Sequence, residues 1–359
     1  MCIRDSFAPD YTRDTKERLG RMGAEPIDFR MERTGANPFR EIRVIAELTR
    51  LLRGLEIDTC LGFMTKLATY GCLAGFLARV PDRYAMVEGL GYFFTRHGRR
   101  AKIRTELIRR AIVLLYRVSL PLARRLFLLN PDDAVDLAET GALDRVEVSI
   151  IDSGIGIDTS EYREAPPVED PLTFLMVSRL LREKGVREFA DAAEELKRKH
   201  PSTRFVLVGP EDTNPGGIPE TEARSWVERE LMEWPGAVPD TRPWYESASV
   251  YVLPSYREGM PRTVLEAMAM ARPIITTDAP GCRETVSGCG PARHGSGVRE
   301  GRNGFLVPAG NAGALAEAMK RFLEDPDLVA RMGAESRRLA ERRFDVRRAN
   351  ARILKEMNL

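Results

Sequence analysis

VYVLPSYREGMPRTVLEAMAMARPIITTD, residues 250–278, is the stretch that decides the fold. An apolar run rich in β-branched and aromatic residues stops at Pro254. A Glu258-Gly259-Met260 turn follows, and Pro261 is suited to the first position of a helix, where its missing N–H costs nothing. A second apolar run, PIITTD at 273–278, closes the unit. Strand, helix and strand in so short a span require the two strands to lie parallel, with the helix crossing over between them.

The same alternation extends outward in both directions. RYAMV (83–87), RLFLL (125–129), VEVSI (146–150), TFLMVSR (173–179), RFVLVG (204–209) and SVYVLP (249–254) are short apolar runs separated by longer amphipathic segments. This pattern predicts an α/β protein of parallel sheets with covering helices. SEYREAPPVED, 160–170, is polar with two prolines and reads as a linker. It divides a first parallel-sheet domain, 1–159, from a second, 171–335, with a closing helical segment at 336–359. Phe7-Ala8-Pro9-Asp10-Tyr11 resembles the tail of a strand, whereas residues 1–6, MCIRDS, have the character of translated adapter sequence. Because the first strand of a doubly wound sheet is central, the first domain is expected to be truncated at its amino terminus.

Composition sets the outer limits. With 55 Lys and Arg against 53 Asp and Glu, the net charge of +2 argues against a dedicated nucleic-acid binder. The five cysteines form no CxxC pair, so neither a disulfide framework nor a zinc site is indicated. No apolar run approaches the ~20 residues of a membrane-spanning helix. Asp325-Pro-Asp327 spells an acidic pair of the kind that holds metals, but it falls between helical patterns and reads as a turn.

Two sets of residues carry chemistry. Arg179 and Lys184 follow the strand TFLMV and precede a helix, at the end of a parallel strand where open sheets bind ligands. A guanidinium fork, an ammonium and a helix amino terminus together suit a diphosphate. Glu258 precedes the helix of the opening stretch and Glu266 lies within it. At ~1.5 Å rise per residue they stand about 12 Å apart, the span from a sugar across a diphosphate to a ribose. The N–H groups of Gly259, Met260 and Pro261's neighbours lie beside the anionic middle. The plainer reading has Glu258 satisfying the helix terminus and Glu266 pairing with an exposed arginine, and spacing alone does not decide between the two.

SRLLREKGVREF, the opening stretch continued through APGCRETV, and NGFLVP together resemble the family 4 glycosyltransferases, whose E-x7-E element is matched by Glu258 and Glu266. The resemblance implies the GT-B architecture, two facing Rossmann-like domains with the nucleotide-sugar held mainly by the second. It also implies retention of anomeric configuration, no cofactor and usually no metal. By it, Arg179 and Lys184 bind the diphosphate, Glu258 contacts the donor sugar, and Glu266 holds the ribose. In the first domain, TKLATYG, RYAMVEGLGYFF and LFLLNPDD look like bacterial transferases that extend undecaprenyl-diphosphate-linked sugars; VEGLG is most similar to those adding α-1,3-linked N-acetylgalactosamine.

Glu88, at a strand end before Gly89 and Gly91, is placed to orient or deprotonate an acceptor hydroxyl, or else to pair with a base such as Arg83. Lys66, with Gly89 and Gly91, is a weaker candidate for acceptor contact. Residues 96–125 hold ten Lys or Arg and one acid, Glu106, around apolar positions of helical character. Such a surface favours anionic lipid headgroups, so a cytoplasmic protein peripheral on the inner face of the plasma membrane is expected. The partners are then a nucleotide-sugar donor and a lipid-linked saccharide acceptor, with no nucleic acid. The alternatives are an isomerase resembling UDP-N-acetylglucosamine 2-epimerase and a nucleotide-binding fragment without turnover.

Overall fold

The computed structural model describes residues 5–32, 37–91, 94, 103–214, 216–290 and 297–359. The first part of the chain runs β1 (Asp5–Ala8), α1 (Arg13–Arg21), β2 (Glu25–Asp28), α2 (Pro38–Gly54), β3 (Thr59–Phe63), α3 (Met64–Ala78), β4 (Asp82–Val87), α4 (Ile103–Ser119), β5 (Arg125–Leu128), α5 (Pro131–Glu139) and β6 (Glu147–Ile150). β1 and β2 pair with each other, and β3-β4-β5-β6 form a separate sheet, every pairing parallel. Residues 1–4 lie outside the described residues, while Asp5 and Ser6 open β1 opposite Glu25 and Pro26.

The second part runs β7 (Thr173–Val177), α6 (Val186–Lys197), β8 (Arg204–Val208), α7 (Glu220–Glu228), β9 (Glu233–Gly236), α8 (Arg242–Glu246), β10 (Val250–Leu253), α9 (Arg262–Ala269), β11 (Ile274–Thr277), β12 (Arg299–Glu300) and β13 (Gly304–Val307). It closes with α10 (Ala312–Glu324), α11 (Asp327–Arg343) and α12 (Val346–Glu356). The sheet order is β12-β13-β11-β10-β7-β8-β9, parallel except for the antiparallel edge strand β12. Strands β7, β10, β11 and β13 are buried throughout. Helices on both faces of a parallel sheet require this, and it is why these strands read as unbroken apolar runs.

Two details differ from the sequence expectations and a third agrees with them. Pro261 is the residue before α9 rather than its first member, so Glu258 lies in a loop and the 12 Å helical span does not apply across it. Helix α11 continues through residue 335, because its buried face packs on α9 of the second domain. Asp325 and Asp327 do flank the α10–α11 turn.

The two parts share a core. Tyr84, Met86 and Phe127 of the first sheet belong to one buried cluster with the second domain and with Ile353 and Met357 at the end of the chain. Helix α12 thus returns to the first domain, where the Tyr84 hydroxyl donates to the Met357 carbonyl at 2.7 Å.

Candidate functional site

The first strand of the second domain, β7, lies between β10 and β8, so its carboxyl end is the point where the sheet reverses direction and open sheets bind ligands. Lys184 and Glu258 arrive there on the loops after β7 and β10. Gly185, at φ +75°, lets the first loop press against the second: a Cβ there would strike the Pro254 carbonyl. Ser255 Oγ donates to the Glu183 carbonyl at 3.0 Å and Tyr256 N to the same oxygen at 2.8 Å. Lys184 Nζ donates to Glu258 Oε1 at 2.5 Å, with both side chains largely buried. Arg179 sits just past β7, half-exposed, and its guanidinium meets the buried Asp212 carboxylate at 2.5 Å.

Glu266 is 7% exposed on α9. Its Oε1 accepts from the Tyr162 hydroxyl and from Arg262 Nε, each at 3.1 Å, and its Oε2 from the Tyr245 hydroxyl at 2.9 Å. Burial pushes the Tyr162 hydroxyl up to about 12, and the neighbouring Glu266 charge adds to the shift. Glu266 does pair with an exposed arginine, as the plainer reading anticipates, yet it is itself enclosed. A buried carboxylate costs free energy unless charge and hydrogen bonds compensate, and here Arg262 and two tyrosines supply them. The first turn of α9 has no side-chain cap, which leaves its leading N–H groups facing the loop that carries Glu258.

Glu88 follows β4 and is half-buried. Burial raises its pKa, opposed by the nearby Arg262 charge. Arg83, by contrast, spends its donors on the Leu122, Val80 and Pro81 carbonyls. The Glu88-Gly89 backbone packs directly on Gly259: a Cβ on Gly259 would run into the Glu88 carbonyl, and one on Gly89 would meet the Gly259 nitrogen. The structure therefore places the loop bearing Glu88 against the loop bearing Glu258. Gly91 has a φ of +68° in the same loop. Met260 reaches Gly154, in the segment that follows β6.

Lys66 lies elsewhere, in the first turn of α3. It donates to Glu41 Oε1 at 2.8 Å and to the Glu32 carbonyl at 2.9 Å, and it stands over the Tyr70 ring. This ammonium is held by the first domain's own α2–α3 contact rather than directed at the Glu88–Glu258 meeting point.

Several residues at the site escaped the sequence reading. Asp212, Tyr162, Tyr245 and Asn130 touch the candidates only through tertiary folding, and Arg257, next to Glu258 in the chain, finds its carboxylate partners the same way. Arg262 alone carried a local signal, its i, i+4 spacing to Glu266. The backbone of the Glu258 loop is gripped from the first domain: Asn130 Nδ2 donates to the Gly259 carbonyl at 2.8 Å, and Arg257, 7% exposed, pairs with the fully buried Asp133 and with Asp136 at 2.5 Å.

Two parallel-sheet domains meeting over a cleft, with the ligand-type residues on the second sheet's switch point, define a protein of GT-B architecture. Residues 171–325 match the family model described as "Glycosyl transferases group 1". The chain is 30% identical over 326 residues to the N,N'-diacetylbacillosaminyl-diphospho-undecaprenol α-1,3-N-acetylgalactosaminyltransferase of Campylobacter jejuni, covering 87% of this chain and 80% of that one. It is 29% identical over 220 residues to the putative glycosyltransferase EpsD of Bacillus subtilis, covering 57% of this chain and 52% of that one. Among solved structures it resembles sucrose-phosphate synthase from Thermosynechococcus elongatus (TM-score 0.73, 18% identity, 94% and 83% of the two chains). It also resembles Anabaena HepE in complex with UDP and glucose (TM-score 0.72, 19% identity, 96% and 89%). The chain belongs to the group 1 glycosyltransferases.

Proposed function

We propose that this glycosyltransferase moves an N-acetylhexosamine, with retention, from a UDP donor to a lipid-diphosphate-linked saccharide. The observation that carries the donor half is the Lys184–Glu258 contact of 2.5 Å at the sheet's switch point. Lys184 keeps two further N–H bonds for diphosphate oxygens, and Arg179 together with the leading N–H groups of α9 would share the charge of the departing nucleotide. Glu258 would accept from a hydroxyl of the donor sugar. Each carboxylate oxygen accepts two bonds; Glu266 Oε1 is filled by Tyr162 and Arg262, and Oε2 has capacity for a ribose hydroxyl beside Tyr245. With these cations placed on the diphosphate, the reading assigns no metal and no cofactor a part.

The acceptor half rests on the similarity to the Campylobacter jejuni enzyme, whose acceptor is a diphospho-undecaprenol-linked sugar, and on Glu88 beside the Glu258 loop. Glu88 would orient or deprotonate the attacking hydroxyl. Attachment to the inner face of the plasma membrane through α4 accompanies a lipid acceptor.

The test is a donor screen against undecaprenyl-diphosphate-linked diacetylbacillosamine, with the elongated lipid separated chromatographically. Glu258→Ala is expected to remove transfer while leaving the fold intact. Full transfer by that variant, or epimerisation of the free donor in place of transfer, overturns the reading.

A further inference from the structure

The loop that carries Glu258 is held from the other domain. Helix α5 begins with NPDDAVD, residues 130–136, and four of its side chains cross to the second domain. Asn130, fully buried, donates through Nδ2 to the carbonyl of Gly259 at 2.8 Å and toward that of Glu258 at 3.4 Å, while its Oδ1 caps α5 by accepting from Asp133 N at 2.8 Å. Asp133 and Asp136 clamp Arg257, whose remaining nitrogen donates to the Phe94 carbonyl at 3.4 Å. Asp132 meets Arg283 at 2.5 Å, and Arg283 in turn holds Asp278. Within its own domain, the loop is tied through Glu258 N, which donates to the Pro280 carbonyl at 2.9 Å.

We propose that Asn130, Asp133 and Arg257 are positioning residues that deliver the Glu258 loop to the donor sugar only when the two domains are closed on each other. Arg257 is the immediate neighbour of Glu258, and its charge is compensated by carboxylates on the acceptor side of the cleft. Separating the domains breaks the Arg257 pairs with Asp133 and Asp136 and takes the Asn130 amide off the Gly259 carbonyl, so the loop keeps these anchors only in the closed arrangement. The position of Glu258 and the closure of the cleft are thus one equilibrium. The nucleotide, on the assignment proposed above, would meet Arg179, Lys184 and Glu266, all on the second domain, so its binding should not depend on the clamp. The inference rests on the assignment of Glu258 to the donor sugar.

Asn130→Ser keeps a side-chain oxygen for the α5 cap and removes the bonds to Gly259 and Glu258; Asp133→Asn takes one of the two carboxylates from the clamp on Arg257. Both are compared with wild type by calorimetric titration with UDP and by UDP release from UDP-N-acetylgalactosamine with the lipid-linked acceptor. Small-angle scattering of the UDP-loaded proteins is measured alongside. The expected result is UDP affinity held within about twofold, a larger radius of gyration, and kcat lowered on the order of 10²-fold, the loss associated with a misplacement of about 1 Å. Unchanged dimensions in the Asn130→Ser protein overturn the inference without any turnover measurement. Unchanged kcat in that protein, or parallel loss of UDP affinity and kcat, overturns it as well. Glu258→Gln separates the two readings. An inactive Glu258→Gln beside a fully active Asn130→Ser removes the clamp and leaves the donor assignment standing, whereas a fully active Glu258→Gln removes the donor assignment itself.

Discussion

Glu88 is the residue whose chemistry is most exposed to test. Its burial favours the protonated form and Arg262 only partly offsets this, so its pKa lies above the ordinary 4.5. In the proposed role of base Glu88 must be ionised, so kcat/KM should then rise with pH along an acid limb set above that value. Glu88→Gln is expected to abolish the limb and lower turnover by about 10²- to 10⁴-fold, as read from a pH–rate profile. The stability sign runs the other way. A carboxyl with a raised folded pKa contributes stability that is present below 4.5 and lost as pH rises through the folded value. The Gln variant should therefore melt higher than wild type at pH 8 and alike at pH 4. Glu88 was legible because a strand end followed by glycines is a local pattern. The environment of Glu266 was not: Tyr162 sits in the interdomain segment 104 residues earlier, and only the fold brings its hydroxyl to that carboxylate.

At the scale of elements, the strands buried on both faces were legible and the edges were not. β7, β8, β10 and β11 are apolar runs because helices cover them. β9, EWPG, ends the large sheet with a proline and a glycine, and β12 is a two-residue antiparallel strip at the opposite edge; neither carries the pattern of a covered strand. Helix α4 shows the reverse case, in which sequence pattern foretold a surface. Leu107, Ala111, Leu114 and Val118 share an exposed face with Arg110 and Arg117, and the three large apolar side chains are 53–61% exposed. Residues 96–102 of the basic segment lie outside the described residues. Among the described residues no helix is long and apolar enough to cross a membrane. An apolar stripe flanked by arginines suits the boundary of an anionic bilayer. Leu107→Glu with Leu114→Glu should weaken sedimentation with vesicles containing anionic lipid by tenfold or more, and leave turnover of a short-chain, detergent-soluble acceptor unchanged. Equal binding to neutral and anionic vesicles by the wild type would remove the electrostatic part of this account.

Among the described residues the two domains are coupled at two places, and only one of them is the cleft. The other is α12, which starts beside the linker, where Val346 N and Ile157 O pair at 3.1 Å, and ends on the first sheet. There Glu356 accepts from Arg125 and from Ser149 Oγ at 3.0 Å, Arg352 reaches the Ile150 carbonyl at 2.8 Å, and Tyr84 donates to Met357. Ile353 and Met357 are buried in the cluster that joins both domains. Burying two such side chains is worth roughly 1.5–3 kcal/mol each, a large fraction of the marginal stability of a domain. The intact protein is expected to melt in one calorimetric transition, whereas a chain ended at Phe344 should lose this link and melt in two, with the first domain at the lower temperature. Tyr84→Phe removes only the hydroxyl's bond, leaves the Met357 carbonyl without its donor, and should lower stability by about 1 kcal/mol within one transition. A single unshifted transition in the shortened chain would mean that the domains are coupled through the cleft clamp. In that case loosening Asn130 or Asp133 would divide the melt instead, because their bonds reach the Glu258 loop from the first domain.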